Sequence, residues 1–296
     1  MSVFRLLVLI ELVFALSTVS TISAADQRSC VSLIGSFLRK GAEQVGSSQR
    51  FIKGRLAASQ TVETTLAAVA AKQANVIIFG ESHVHYRGIE RYPEFLQKLK
   101  KARPEINVLF IESSDRFQGA IDAYMVGGSY LDTVAKINRQ QQGFSPLAHA
   151  TEALLDEARA LGIRVVAVDA ESPDSNVRDV HMSNRITSYL RLNGGAGVML
   201  VGKAHIYEKL VATHPLAQYA KTLSQNLVDA GVSITRVNML SHSDFLKTCA
   251  NCVSLESEAS FGFKIPPRSK EIIQASPFAM VQPERWADYD FALVTP

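Results

Sequence analysis

Two short motifs hold residue types that could do chemistry: Gly80-Glu81-Ser82-His83 and Gly202-Lys203-Ala204-His205. Imidazole titrates near neutral pH and ligates metal once deprotonated, while glycine lets a backbone turn sharply and approach a ligand closely. Three carboxylates at the ends of apolar runs join them: Glu112 after Leu109-Phe110-Ile111, and Asp169 and Glu171 after Val166-Ala167-Val168. Turn chemistry favours Gly, Asn, Asp and Ser, and gives no reason for a His three residues after a strand-terminal Gly to occur twice. Imidazoles and carboxylates brought together suit divalent-metal ligation by His83, Glu112 and His205. They equally suit general acid–base work on a bound water. On the second reading His83 is the base, Glu81 and Glu112 orient it, and His205 completes the site. Arg178, in Asn176-Val177-Arg178-Asp179, sits where a helix begins, and a positive charge there opposes the macrodipole. Stabilising an oxyanion would explain it, and so would a salt bridge to Asp174 or Asp179. His85 reads as solvent-facing, and His149, His181, His214 and His242 as structural or surface residues without partners.

These groups need elements to hold them. Short apolar, β-branched runs recur at Asn75 to Phe79, Asn107 to Ile111, Ile163 to Val168, Gly197 to Val201 and Val232 to Met239. Each is apolar on both faces, as strands of a covered parallel sheet are. Helical spacing falls between them, over Thr61 to Lys72, Arg91 to Ala102, Ser175 to Leu192 and Pro215 to Ala230. A further helix is expected from Ser145 as N-cap and Pro146 at its first position to Gly162 as its stop. Alternation of this kind predicts an α/β fold with a mostly parallel central sheet flanked by helices on both faces, a Rossmann-like three-layer arrangement. In such sheets ligands bind outside the carboxyl ends of the strands, where the residues above collect. Residues 26–59 read as extra helices, and Ser254 to Pro296 as irregular structure closing with a strand at Phe291 to Val294.

The chain opens with Arg5, an apolar run from Leu6 to Val19 broken by Glu11, and small residues through Ala25. This is the pattern of a signal peptide over 1–25, leaving 26–296 as one domain exported to the periplasm or secreted, with no membrane association after cleavage. With 31 Lys and Arg against 28 Asp and Glu, interspersed, no basic stripe suggests a nucleic-acid partner. The partner expected is a small molecule, a peptide or haem. In an oxidising compartment Cys30, Cys249 and Cys252 would supply one structural disulfide and a remaining thiol.

The two Gly-x-x-His motifs, the strand-terminal Glu112 and the Arg178-Asp179-x-x-Met182 segment together resemble the Tiki/TraB group. The wider set takes in ChaN-like haem-binding proteins and the erythromycin esterase family. The likeness runs from about Asn75 to Met239, with Asp290 to Pro296 similar to the closing strand. It implies a site of His83, Glu112 and His205 supported by Arg178. It also implies one of three activities: metal-dependent proteolysis, metal-free ester hydrolysis, or haem binding. The Gly-Glu-x-His form is closer to the ChaN-like members than to Tiki, and the esterases place one more residue between Glu and His. Two readings follow: an exported hydrolase acting on an ester or peptide bond, with or without a divalent metal, and a non-enzymatic haem carrier in which Tyr86 or Tyr92 could ligate iron.

Overall fold

A computed structural model describes residues 60–81, 90–140, 149–206, 221–241, 261–264 and 289–295. The signal segment, His83, His85, Tyr86, His214, His242 and all three cysteines lie outside these residues. In chain order the elements are β1 (Gln60–Thr61), α1 (Val62–Ala70), β2 (Val76–Glu81), α2 (Tyr92–Ala102), β3 (Ile106–Ser114), α3 (Gln118–Met125) and α4 (Val134–Gln140). They continue with α5 (Glu152–Ala160), β4 (Arg164–Asp169), α6 (Ser175–Asn193), β5 (Ala196–Gly202), α7 (Leu223–Asp229), β6 (Ile234–Ser241), β7 (Phe261–Lys264) and β8 (Phe291–Thr295). Single 3-10 turns follow β3 at Asp115–Phe117 and β5 at Lys203–His205.

The strands form one sheet in the order β1-β7-β8-β6-β2-β5-β3-β4. From β8 to β4 every pairing is parallel, and β7 and β1 complete the other edge antiparallel. The fold is therefore the three-layer α/β arrangement expected. Side chains alternate between two cores along each strand. Ile77 and Phe79 of β2 join Leu66, Phe95, Leu99, Leu154 and Leu155 on one face. Val76 and Ile78 join Met182, Ile186, Leu223 and Leu227 on the other. Connection handedness accounts for this division. The chain steps one way across the sheet from β2 to β3 to β4, then back to β5 and β6. Right-handed crossovers thus put α2 to α5 on the first face and α6 and α7 on the second.

Helix ends follow their local chemistry. Thr61 caps α1 by accepting from the Thr64 N–H, and Asp174 caps α6 by accepting from the Asn176 N–H. Gly162 and Gly194 terminate α5 and α6 at φ +64°, a conformation that L side chains adopt at a cost. Three expectations need correction. Helix α5 starts at Glu152, capped by Thr151 accepting from the Leu154 N–H, whereas the expected start at Ser145 and Pro146 lies outside the described residues. The stretch after β3 holds two helices, α3 and α4, not foreseen in the periodicity. The segment around Phe261, read as irregular, contains β7, which pairs with β8.

Candidate functional site

Four neighbouring strands, β2, β5, β3 and β4, end side by side and send their chains alternately to opposite faces of the sheet. Each boundary between them is a switch point, where α/β sheets bind ligands. Their last residues are Glu81, Gly202, Ser114 and Asp169, with Glu112 two residues before the end of β3.

Glu112 is the hub. One carboxylate oxygen, Oε2, accepts the Gly202 backbone N–H at 2.6 Å. The other, Oε1, accepts from Arg178 Nη2 at 2.5 Å and lies 3.2 Å from His205 Nε2. Arg178 also donates from Nε to Asp169 Oδ1 at 2.9 Å and from Nη2 to Asp169 Oδ2 at 2.6 Å. Its charge at the start of α6 is thus explained by Asp169 and Glu112, and not by Asp174 or Asp179. Asp179 instead holds Nδ1 of His205. Its position was legible: Asp179, Met182, Ser183 and Ile186 are all buried, and their spacing marks one inward helix face. An aspartate on that face must have a partner inside.

The charge states follow from these contacts. Burial alone would lower the His205 pKa, but the hydrogen bonds and charges of Asp179 and Glu112 prevail and raise it to about 10. Burial alone would raise that of Glu112, yet it falls well below the usual carboxylate range, because His205, the charge of His149 and the Gly202 N–H favour its anion. Burial pushes Asp179 up against the opposing pull of His205 and Arg178. Arg178 is held above its ordinary range, the carboxylates of Asp169 and Glu112 outweighing its burial. An imidazolium therefore sits between two carboxylates.

A second pair occupies the other face. His149 is 1% exposed, and its Nδ1 donates to the Glu112 carbonyl at 2.9 Å while Nε2 lies 3.0 Å from Glu81 Oε1. Burial opposes protonation of His149, and Glu81 with Glu112 reverses that, raising its pKa. His149 is therefore part of the site rather than a histidine without partners. Reading it as a helical residue concealed it, and its partners lie 37 and 68 positions away. His181 also has a partner, Asp115 Oδ2 at 2.8 Å, away from this cluster. Glu171 accepts from the Ser114 hydroxyl and pairs with Arg116.

The expected site residues Glu81, Glu112, His205 and Arg178 thus converge, and Asp169, Asp179 and His149 join them. Of the three residues expected to hold a metal, His83 lies outside the described residues, while His205 Nε2 lies 3.2 Å from Glu112 Oε1. Among the described residues no group of three or more His, Cys, Asp or Glu is arranged to hold a metal ion. Tyr92 does not fit as an iron ligand, since it is 2% exposed and its ring packs edge-on to Phe79 and Phe95. No helix among the described residues is long and apolar enough to cross a membrane.

No protein-family model matches the chain, and no curated protein matches it. Among solved structures, a Bacillus cereus protein is 10% identical with a TM-score of 0.50, covering 84% of this chain and 97% of that one. ChaN of Campylobacter jejuni, described with cofacially bound haem, is 10% identical with a TM-score of 0.46 over 80% of this chain and 92% of that one. RRSP, a MARTX toxin effector domain from Vibrio vulnificus, is 22% identical with a TM-score of 0.44 over 64% of this chain, which spans 38% of that one. At such identities the likeness shows the fold alone.

Proposed function

We propose that the protein is an exported hydrolase acting on an ester or peptide bond at the carboxyl ends of β2, β5, β3 and β4. The observation that carries this is the buried ionic network of Glu112, Arg178, His205, Asp179 and Asp169. Desolvating this many charges is a poor way to stabilise a fold, and hydrophobic replacements generally do as well or better. Networks of this kind, with strongly displaced ionisation, collect at functional sites.

The roles divide by availability. His205 and Glu112 satisfy one another, so they act as a fixed electrostatic frame rather than as proton carriers. Arg178 uses Nε and Nη2 for that frame, and among the described residues Nη1 makes no hydrogen bond. Nη1 is the donor assigned to an oxyanion. Glu81 and His83, from the first motif, are assigned to the water: one removes its proton as oxygen attacks the carbonyl carbon. As the C–O or C–N bond breaks, that proton passes to the leaving oxygen or nitrogen. No step requires a group beyond the substrate and water.

The test is a screen of the secreted chain against chromogenic esters and fluorogenic peptides, with and without chelator. On the substrate found, Arg178→Ala is expected to lower kcat about 100-fold or more, the range for loss of an oxyanion donor. Full activity in both His83→Ala and His205→Ala would sink the assignment. Haemin titration addresses the carrier reading, which has lost Tyr92 as a ligand: a Soret shift abolished by His83→Ala would favour it over hydrolysis.

A further inference from the structure

We propose that His149 is a positioning residue that fixes the Glu81 carboxylate relative to Glu112. The inference deepens the hydrolase reading and rests on it for its catalytic consequence, while its geometric content stands separately. Strands β2 and β3 are not neighbours, because β5 runs between them. Two strand spacings separate their ends by roughly 9–10 Å, too far for Glu81 and Glu112 to set one another's position directly. One imidazole spans the gap, with Nδ1 on the Glu112 carbonyl at 2.9 Å and Nε2 on Glu81 at 3.0 Å.

The contact to the carbonyl decides the tautomer. A carbonyl oxygen only accepts, so Nδ1 carries a proton and Nε2 is the atom presented to Glu81. Glu81 and His149 Nε2 then face one another across a buried contact, with exposures of 4% and 1%. Among the described residues, the Glu112 carboxylate, from β3, and the Tyr92 hydroxyl, from α2, bear on this pair, the tyrosine being raised by burial and by Glu81. A histidine serving only as core packing has no reason to join the backbone of one site residue to the side chain of another on a different strand. The arrangement also couples the two faces: the Glu112 main chain holds His149 on one face and its side chain holds His205 on the other.

The experiment uses the full secreted chain labelled with 13C-glutamate and 15N-histidine. The Glu81 carboxyl signal is identified by its loss in Glu81→Gln, and the His149 ring signals by their loss in His149→Gln. In the wild type, dipolar transfer between the Glu81 carboxyl carbon and the His149 Nε2 nitrogen is expected, as their 3.0 Å N–O contact requires. In His149→Phe, which keeps a ring but loses both bonds, the Glu81 signal is expected to shift, and His149→Gln should restore it in part. Absence of that transfer in the wild type overturns the proposal, even if the Phe variant fails to fold. So does a Glu81 signal unchanged in folded His149→Phe. On a substrate found by screening, His149→Phe should lower kcat at least tenfold, leave KM unchanged and displace the pH profile. These spectroscopic readings need no substrate, so failure of the hydrolase reading leaves them decisive.

Discussion

Neutralising Glu112 without changing its shape would separate the frame from the chemistry. Among the described residues, Glu112→Gln leaves Asp169 as the carboxylate paired with Arg178 and deprives the His205 imidazolium of one of its two carboxylates. Breaking a buried pair from one side leaves charge uncompensated, so a loss of roughly 3–5 kcal/mol is expected, read from urea denaturation near neutral pH. The pH dependence has a definite sign. The folded pKa of His205, about 10, exceeds that of the unfolded imidazole, roughly 6.5. Its contribution to stability is therefore complete below about pH 6.5 and is lost as pH rises through about 10. Glu112, lowered in the folded state, contributes above its unfolded pKa of roughly 4.3 and weakens as pH falls. His205→Gln should flatten the alkaline limb of a stability–pH curve and spare the acid limb; an unchanged alkaline limb would show that His205 is not the protonated group. Residue types at the strand ends and at the start of α6 singled out Glu81, Glu112, Arg178 and His205, which the fold brings near one another. They could not assign Arg178 its partners or reveal His149, because those bonds join positions brought near only by the completed sheet.

Among the elements, the parallel strands were legible because burial on both faces leaves them almost wholly apolar, as in Val76-Ile77-Ile78-Phe79. Helices α3 and α4 were not, being 8 and 7 residues long, too short for a helical period to stand out. The N-terminal residue of α3 nevertheless has a clear task. Gln118 lies along the outer edge of β4, its Nε2 donating to the Val165 carbonyl at 2.9 Å and its Oε1 accepting the Ala167 N–H at 2.7 Å. Among the described residues, its amide takes two of the backbone bonds that a further strand would make at this edge of the sheet. Gln118→Ala should cost about 1–2 kcal/mol and introduce concentration-dependent association in sedimentation velocity; a strictly monomeric variant would argue that other features protect the edge. Gly80 shows a different constraint. A Cβ there would stand 2.1 Å from Ile206 Cδ1 and 3.4 Å from Tyr289, and Ile206 follows His205 directly. Gly80→Ala is expected to lose about 1–3 kcal/mol by overpacking. Ile206→Val, which removes Cδ1, should recover part of the loss in thermal melts of the double variant.

For the molecule as a whole, the question is whether the two cores behave as one unit. They share every central strand, since alternate residues of β2, β3, β4 and β5 point into each. Loss of either helical layer would expose one face of a sheet whose strands are apolar on both, so neither half has a stable form of its own. Leu154→Ala on α5 and Leu227→Ala on α7 test this, as both side chains are fully buried on opposite faces. Each should cost about 2–5 kcal/mol, and the pair should be additive within roughly 0.5 kcal/mol because the sites share no neighbours. Far-ultraviolet and near-ultraviolet circular dichroism should give coincident transitions in both variants, since removing packing from one layer lowers the stability of the common sheet. Two separated transitions, one moved by each substitution, would mean that the layers unfold independently. The site network would then span a boundary between units, and its charges would serve to join them as well as to act on a substrate.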